Sequence, residues 1–287
     1  MKTESLAIAL VECADRRGII AAASGWLAAI NANIVQADEY AGVDGRFFMR
    51  LAFSFDGTGH DLASLEAGLT AVIGGGHGRP GSVRVYDVRT RPSMGVLVSK
   101  ADHCLVELLY RQRAGELPVE IAFVAGNHPD LQPVVESYGI PFYHVPVTKE
   151  TKQQAEARLL ELAQGQTDFL VLARYMQIIS GDFITRYGQD IINIHHSFLP
   201  SFAGADPYRQ AWERGVKVIG ATAHYVTEHL DEGPIIEQVV ERVSHRDDVE
   251  SLKRKGKSLE RQALYHAILA HAERRVIRYC NKTIVFA

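Results

Sequence analysis

The sequence predicts two units in tandem, a small α+β sandwich followed by a larger α/β domain with an open, mostly parallel sheet. Three observations carry this. From Leu6 to about Val88, apolar spacing switches between the strand and helix periods in the order strand, helix, strand, strand, helix, strand. Beyond Thr90-Arg91-Pro92-Ser93, which has the breaker composition of a linker, strands alternate with helices one for one, the pattern of a parallel sheet. The 287 residues also exceed a single domain of about 100–200. The expected division is 1–89, a linker at 90–93, and 94–287.

In the first unit a strand ends at Glu12, and Asp15-Arg16-Arg17-Gly18 makes a turn. Ile19 to Asn31 follows with helical spacing through Ile20, Ala23, Leu27 and Ile30. Strands near Ile34–Tyr40 and Phe47–Phe55 flank the turn-rich Ala41-Gly42-Val43-Asp44-Gly45 as a hairpin. Leu62–Ile73 is a second helix, and Val83–Val88 alternates as a closing strand. That order suits a ferredoxin-like sandwich. The glycine-rich run Gly74 to Gly81 lacks the lysine and the strand-before, helix-after setting of a phosphate loop, and reads as a plain loop.

The second unit opens with a buried strand at Met94–Ser99, a helix at His103–Ala114 and a strand at Val119–Ala125. A helix over Pro129–Tyr138, a short strand at Phe142–Val145 and an amphipathic helix over Lys149–Gln164 come next. Phe169–Ala173 is wholly apolar, as a central strand covered on both faces requires. Gly181–Tyr187 is a short helix before a central strand at Ile191–Ile194. A long helix from Asp247 to His271 carries Lys253, Arg254, Lys255 and Lys257 as a solvated face, and Val276–Phe286 alternates as terminal strands.

Composition narrows the function class. Apolar residues make up 47% and charged residues 23%, as in an ordinary globular protein, and a net charge of −3 gives no global attraction to nucleic acid. The early apolar run Ser5–Val11 is followed at once by Glu12, Asp15, Arg16 and Arg17, which suits a first core strand better than a signal peptide. No stretch reaches the roughly 18 apolar residues of a membrane span. Cys13, Cys104 and Cys280 are too few and scattered for a disulfide framework. A cytoplasmic setting with neither nucleic-acid nor membrane partner is expected.

Polar groups cluster at two places. Asn193-Ile194-His195-His196-Ser197 follows a central strand, at the carboxyl edge where open α/β sheets bind ligands. Residues two apart on extended chain share a face, so Asn193 and His195 converge on one point, where an amide N–H and an imidazolium make an oxyanion hole. The second cluster runs from Gly220 through His224 to Asp231, Glu232 and Gly233. A carboxylate near His195 would hold the ring protonated and orient or deprotonate water. Taken singly, a strand-end His also suits a structural role and a loop Asp before Gly suits a turn. The adjacent histidines plus an acid also suit a divalent metal.

Two resemblances go further. The first unit resembles an ACT domain in its helix-starting Gly18 after the Asp15-Arg16 turn, although Arg17 stands where many such domains carry proline. The resemblance implies a dimer or tetramer and a small amino-acid effector near Asp15, Arg16 and Gly18, or a dimerisation module without ligand. From about Met94 to the chain end, Asn193-Ile194-His195, Ser197-Phe198-Leu199-Pro200-Ser201-Phe202 and His224-Tyr225-Val226 leading to Asp231 and Gly233 resemble the folate-dependent formyl-transfer family. By position, Asn193, His195 and Asp231 match that family's catalytic residues. Leu172 to Ser180 resembles its folate-pocket segment, which implies Met176, Gln177, Ile178 and Ile179, with His196, Ser197, Thr227, Glu228 and Leu230, as folate-binding residues.

Within that family, the first turn Ser99-Lys100-Ala101-Asp102-His103 is a poor cradle for the phosphate of a glycinamide ribonucleotide acceptor. The basic carboxyl-terminal domain of tRNA-formylating members is not expected either. A hydrolase branch is implied, in which 10-formyltetrahydrofolate is cleaved to formate and tetrahydrofolate. It would supply formate and balance one-carbon pools for purine synthesis, with no permanently bound cofactor and no metal. Lys100, Asn127 and His128 would face the unused acceptor side. The alternatives are formyl transfer to an amine, or a folate or amino-acid sensor without turnover. One departure is Asp206, an acid where the family usually has a base.

Overall fold

The computed structural model describes residues 4–56, 59–74, 81–200 and 207–287. The glycine-rich run at Gly75–Pro80 and the segment Ser201–Asp206, with the departure at Asp206, lie outside the described residues. Contacts divide the chain into two units: Met1–Arg91 with Glu273–Tyr279 and Ile284–Ala287, and Pro92–Ala272 with Cys280–Thr283.

In the first unit the elements are β1 (Glu4–Ala14), α1 (Ile19–Ala29), β2 (Asn33–Ala41), β3 (Arg46–Asp56), α2 (Leu62–Ile73) and β4 (Ser82–Asp87). The strands form one sheet in the order β2-β3-β1-β4, with every pairing antiparallel. This is the split βαβ arrangement the sequence order predicts. Alternation sorts the faces: Ala7, Ala9, Val11 and Cys13 of β1, with Met49, Leu51 and Phe53 of β3, bury against Ala23 and Leu27 of α1 and Leu65 and Leu69 of α2. Helix α1 starts after Gly18, whose φ of 87° is a left-handed conformation that glycine adopts freely. Helix α2 begins with a capping box, in which Asp61 accepts from the Ser64 N–H at 2.8 Å and Ser64 Oγ accepts from the Asp61 N–H at 3.0 Å.

The second unit follows with β5 (Ser93–Val98), α3 (His103–Arg113), β6 (Glu120–Gly126), α4 (Gln132–Glu136), β7 (Phe142–His144), α5 (Lys152–Ala163), β8 (Phe169–Leu172), α6 (Gly181–Tyr187) and β9 (Asp190–His195). It continues with α7 (Pro207–Arg214), β10 (Val218–Tyr225), β11 (Ile235–Arg242) and α8 (Val249–Ala272). Its seven-stranded sheet has the order β11-β10-β9-β8-β5-β6-β7. Strands β5 to β9 pair in parallel, and β10 and β11 close one edge antiparallel, so the sheet is open and mostly parallel. All four residues of β8 are buried, because helices cover both faces at mid-sheet. Helix α8 packs on β9, β10 and β11 through residues including Leu259, Leu264 and Ile268. Among the described residues no helix is long and apolar enough to cross a membrane.

Three features differ from the sequence reading. Helix α4 is five residues long rather than ten, confined between Pro133 near its start and Gly139, which turns the chain at φ 74°. Helix α7, opened by Pro207, has no counterpart among the elements read from the sequence. The sequence reading assigns the tail whole to 94–287, yet β12 (Val276–Tyr279) and the second half of β13 (Lys282–Val285) group with the first unit. The reason is Phe48, which faces away from the helices and is 1% exposed because Ile277 and Phe286 cover it, with the Tyr279 ring edge-on at 5.1 Å. Phe48→Ala is expected to destabilise the protein by about 3–5 kcal/mol in denaturant titration. A loss below about 1 kcal/mol would mean that the tail does not cover this face.

Candidate active site

The site is built at the carboxyl edge of the second unit's sheet, where parallel β9 meets antiparallel β10. Register puts His224 directly opposite Asn193 and Thr222 opposite His195, while Ile192 and Ile194 point to the other face. Asn193 and His195 therefore project together, as their spacing predicts. Asp231 arrives from the turn between β10 and β11, in a left-handed conformation of φ 57°. Its Oδ2 lies 3.2 Å from His195 Nδ1 and its Oδ1 lies 3.6 Å from His224 Nε2. His224 Nδ1 donates to the Tyr225 carbonyl at 2.9 Å, which turns its Nε2 edge to the Asn193 amide nitrogen at 3.2 Å.

Electrostatics follow from this geometry. The His195 hydrogen bond, seconded by His224, holds the Asp231 carboxyl well below the usual carboxylate range, although burial opposes them. With Nδ1 committed to Asp231, His195 is left with a buried Nε2 that has no hydrogen-bond partner among the described residues. That nitrogen is available to a ligand atom. Beside it, burial and then the charges of Arg174 and His195 push the His196 ring down to about 4, so it is neutral at neutral pH.

These groups line a cavity of about 320 Å³, together with Met176, Gln177, Ile178, Ile179, Thr227, Glu228 and Leu230. Met176, Ile178 and Leu230 are each about 60% exposed, at 59%, 59% and 61%, and supply an apolar rim suited to a flat aromatic ligand. The Ser99 hydroxyl at the end of β5 accepts from the Met176 N–H at 3.0 Å and fixes that wall.

Not every expected residue is at this cavity. Ser197 is buried instead against a smaller neighbouring hollow with Phe198 and Tyr208, and its carbonyl accepts from Thr222 Oγ1 at 2.9 Å. Lys100, Asn127 and His128 stand at the ends of β5 and β6, outside the lining; Asn127 is buried and its Oδ1 has no partner among the described residues. In the first unit, Arg16 donates to the Val72 and Ile73 carbonyls at 3.0 and 3.2 Å, capping α2, so its guanidinium is already engaged. Asp15 ties its N–H to the Gly45 carbonyl at 2.8 Å, and Gly18 starts α1. The sequence also leaves open a divalent metal at the adjacent histidines. Among the described residues, ligand-like spacing occurs at His103, Cys104 and Glu260, where Arg174 already lies 3.4 Å from Glu260.

Sequence reasoning missed the positioning part of His224 and, inside the Leu172–Ser180 segment already likened to a folate pocket, the pairing of Arg174 with Glu260. The first had a signal, since strand register against Asn193 follows once β9 and β10 are paired. The second had none, because its partner Glu260 is far along the chain.

Comparison with known proteins agrees with this geometry. The formyl transferase family model matches residues 94–268, which places the larger unit in the class of formyltransferase-type α/β domains. The formyltetrahydrofolate deformylase of Mycobacterium tuberculosis is 47% identical over 279 residues, spanning 96% of this chain and 89% of that one. A crystal structure of a formyltetrahydrofolate deformylase from Pseudomonas syringae superposes with a TM-score of 0.93 at 42% identity, covering 100% of this chain and 96% of that one. A glycinamide ribonucleotide transformylase from Symbiobacterium toebii matches 69% of this chain and 95% of its own, with a TM-score of 0.64 at 32% identity. The chain belongs to the formyltetrahydrofolate deformylase family.

Two substitutions probe the site. A Cβ on Gly233 would stand 1.8 Å from the Tyr225 carbonyl oxygen, a backbone atom that cannot turn aside. Gly233→Ala should shift the Asp231 turn and lower kcat by about a hundredfold while circular dichroism stays unchanged; full activity would show that the turn tolerates displacement. The second concerns acid. The folded chain keeps His196 neutral down to about pH 4, whereas an unfolded histidine titrates near 6.5, so the unfolded chain binds more protons between these values. Stability is then lost as pH falls from about 6.5 to 4, at up to about 1.4 kcal/mol per pH unit for this one group. His196→Gln should flatten that slope in urea titrations at pH 7 and pH 5; an identical slope in both proteins would contradict the assignment.

Proposed function

We propose that this chain hydrolyses 10-formyltetrahydrofolate to formate and tetrahydrofolate. The observation that carries the reading is the convergence of Asn193, His195 and Asp231 on one cavity, with His195 Nε2 unpartnered among the described residues and so available to a ligand atom. In this reading the pterin lies against Met176, Ile178 and Leu230, and Gln177, Ile179, Thr227 and Glu228 complete the folate wall. The formyl oxygen accepts from Asn193 Nδ2 and His195 Nε2, a pair of preorganised donors aimed where negative charge develops. Water, oriented by Asp231, attacks the formyl carbon; the carbonyl π pair moves onto oxygen as the new C–O bond forms. Asp231 takes a proton from the water and the proton is returned to N10 as the C–N bond breaks, which frees formate and tetrahydrofolate. His196 shapes the surrounding wall, and Lys100, Asn127 and His128 border the side an amine acceptor would use. No resident cofactor or metal is required.

The same reading makes residues 1–89 an ACT-type regulatory and dimerisation domain, supported by the split βαβ order and the turn ending in Gly18. A small amino-acid effector and a homodimer or homotetramer belong to it, as do a cytoplasmic setting and a part in supplying formate and balancing one-carbon pools for purine synthesis. The test is formate release from 10-formyltetrahydrofolate with no acceptor added. Turnover is expected, with His195→Ala and Asp231→Asn each lowering kcat by roughly 10²–10⁴-fold. Formate that appears only when an amine is supplied would replace hydrolysis by transfer.

A further inference from the structure

Arg174 lies two residues beyond the end of β8 and lines the same cavity as Asn193, His195 and Asp231. Its backbone is left-handed, with φ 62°, a conformation uncommon for a residue with a side chain and one that collects at functional sites. The flanking chain is clamped: the Ala173 N–H donates to the Leu97 carbonyl at 2.9 Å and the Met176 N–H to Ser99 Oγ at 3.0 Å. Two tethered neighbours thus hold Arg174 in that conformation and aim its side chain across the carboxyl edge of the sheet.

At the far side is Glu260 of α8, 2% exposed, whose Oε2 lies 3.4 Å from Arg174 Nε and 2.8 Å from His103 Nε2. Its Oε1 accepts from the Tyr208 hydroxyl at 2.8 Å. Burial alone would raise this carboxyl, but the hydrogen bond from His103 and the charges of Arg174 and His103 outweigh it, so Glu260 stays ionised. A carboxylate this deeply buried is costly unless it is fully held, and three partners hold it. Arg174 Nε, although buried, has no hydrogen bond among the described residues. None of these groups takes part in the steps assigned to Asn193, His195 and Asp231.

The cluster therefore sets a guanidinium in the cavity wall next to the reacting centre. Of the species that occupy this cavity during hydrolysis, formate is an anion, small enough to sit beside the folate and able to accept charge-assisted hydrogen bonds from a guanidinium. An amine acceptor would arrive as an ammonium ion and meet a like charge there. We infer that Arg174, positioned by Glu260, His103 and Tyr208, forms the subsite that receives formate as it is cleaved from the folate; the inference rests on the hydrolase reading above. Arg174 then touches product, and the three residues behind it act only by placing it.

Product inhibition tests this in the full-length chain. Initial rates of 10-formyltetrahydrofolate cleavage are measured with added sodium formate, at constant ionic strength, for the parent, Arg174→Gln and Arg174→Lys. The parent is expected to be inhibited by formate. Arg174→Gln should raise the formate inhibition constant by roughly ten- to a hundredfold, the worth of a charge-assisted hydrogen bond, over and above any change in KM for the folate. Arg174→Lys, which keeps the charge and loses the planar fork, should show an intermediate rise of several-fold, and it carries the test alone if the Gln variant does not fold. An unchanged formate constant in the folded variants would overturn the subsite. A parent that releases no formate would instead remove the hydrolase reading itself, so the two failures are distinguishable.

Discussion

The carboxylate of Asp231, shared between His195 and His224, is the contact on which the site depends. Without it, the imidazole of His195 would have no fixed tautomer toward the cavity, and the turn that leads into β11 would lose its ionic tie to β9. One anion performs both tasks: it fixes which ring nitrogen of His195 faces the cavity, and it ties an antiparallel turn to a parallel strand. The left-handed backbone at Asp231 and the close approach of Gly233 to Tyr225 are the local costs of bringing the carboxylate there.

The same economy appears in the cavity wall. Charged groups are costly to bury, and proteins keep them where a specific arrangement is worth more than a better apolar packing. Glu260 sits among Arg174, His103 and Tyr208 on elements that come together only when α8 lies across the sheet. The long helix is therefore more than a cover for β9 to β11, since one of its few buried polar side chains reaches the cavity's edge through Arg174.

Much of this was legible in the sequence, and for identifiable reasons. Periodicity is local, so the order of strands and helices and the wholly apolar β8 were readable. The two-residue spacing of Asn193 and His195 fixed their common face before any pairing was known. Long-range relations were harder. Nothing near Phe48 announces that its second face is covered by residues more than two hundred positions later, because β3 reads as an ordinary strand whichever partner it has. Ser197 follows the strand that carries the site, yet the chain bends after His196 and buries it in a different hollow. Arg16 reads as part of a candidate effector turn, but the carbonyls that engage it belong to the far end of α2. In each case the sequence specified the side chain and the tertiary fold chose its partner.

The division of the chain by contacts has a consequence for how it is made. Because Glu273–Tyr279 and Ile284–Ala287 belong with Met1–Arg91, the stretch that packs over Phe48 leaves the ribosome after every strand of the seven-stranded sheet. During synthesis the seven-stranded sheet therefore has all its strands before the four-stranded sheet has the cover on its second face, so the unit begun earlier is completed later.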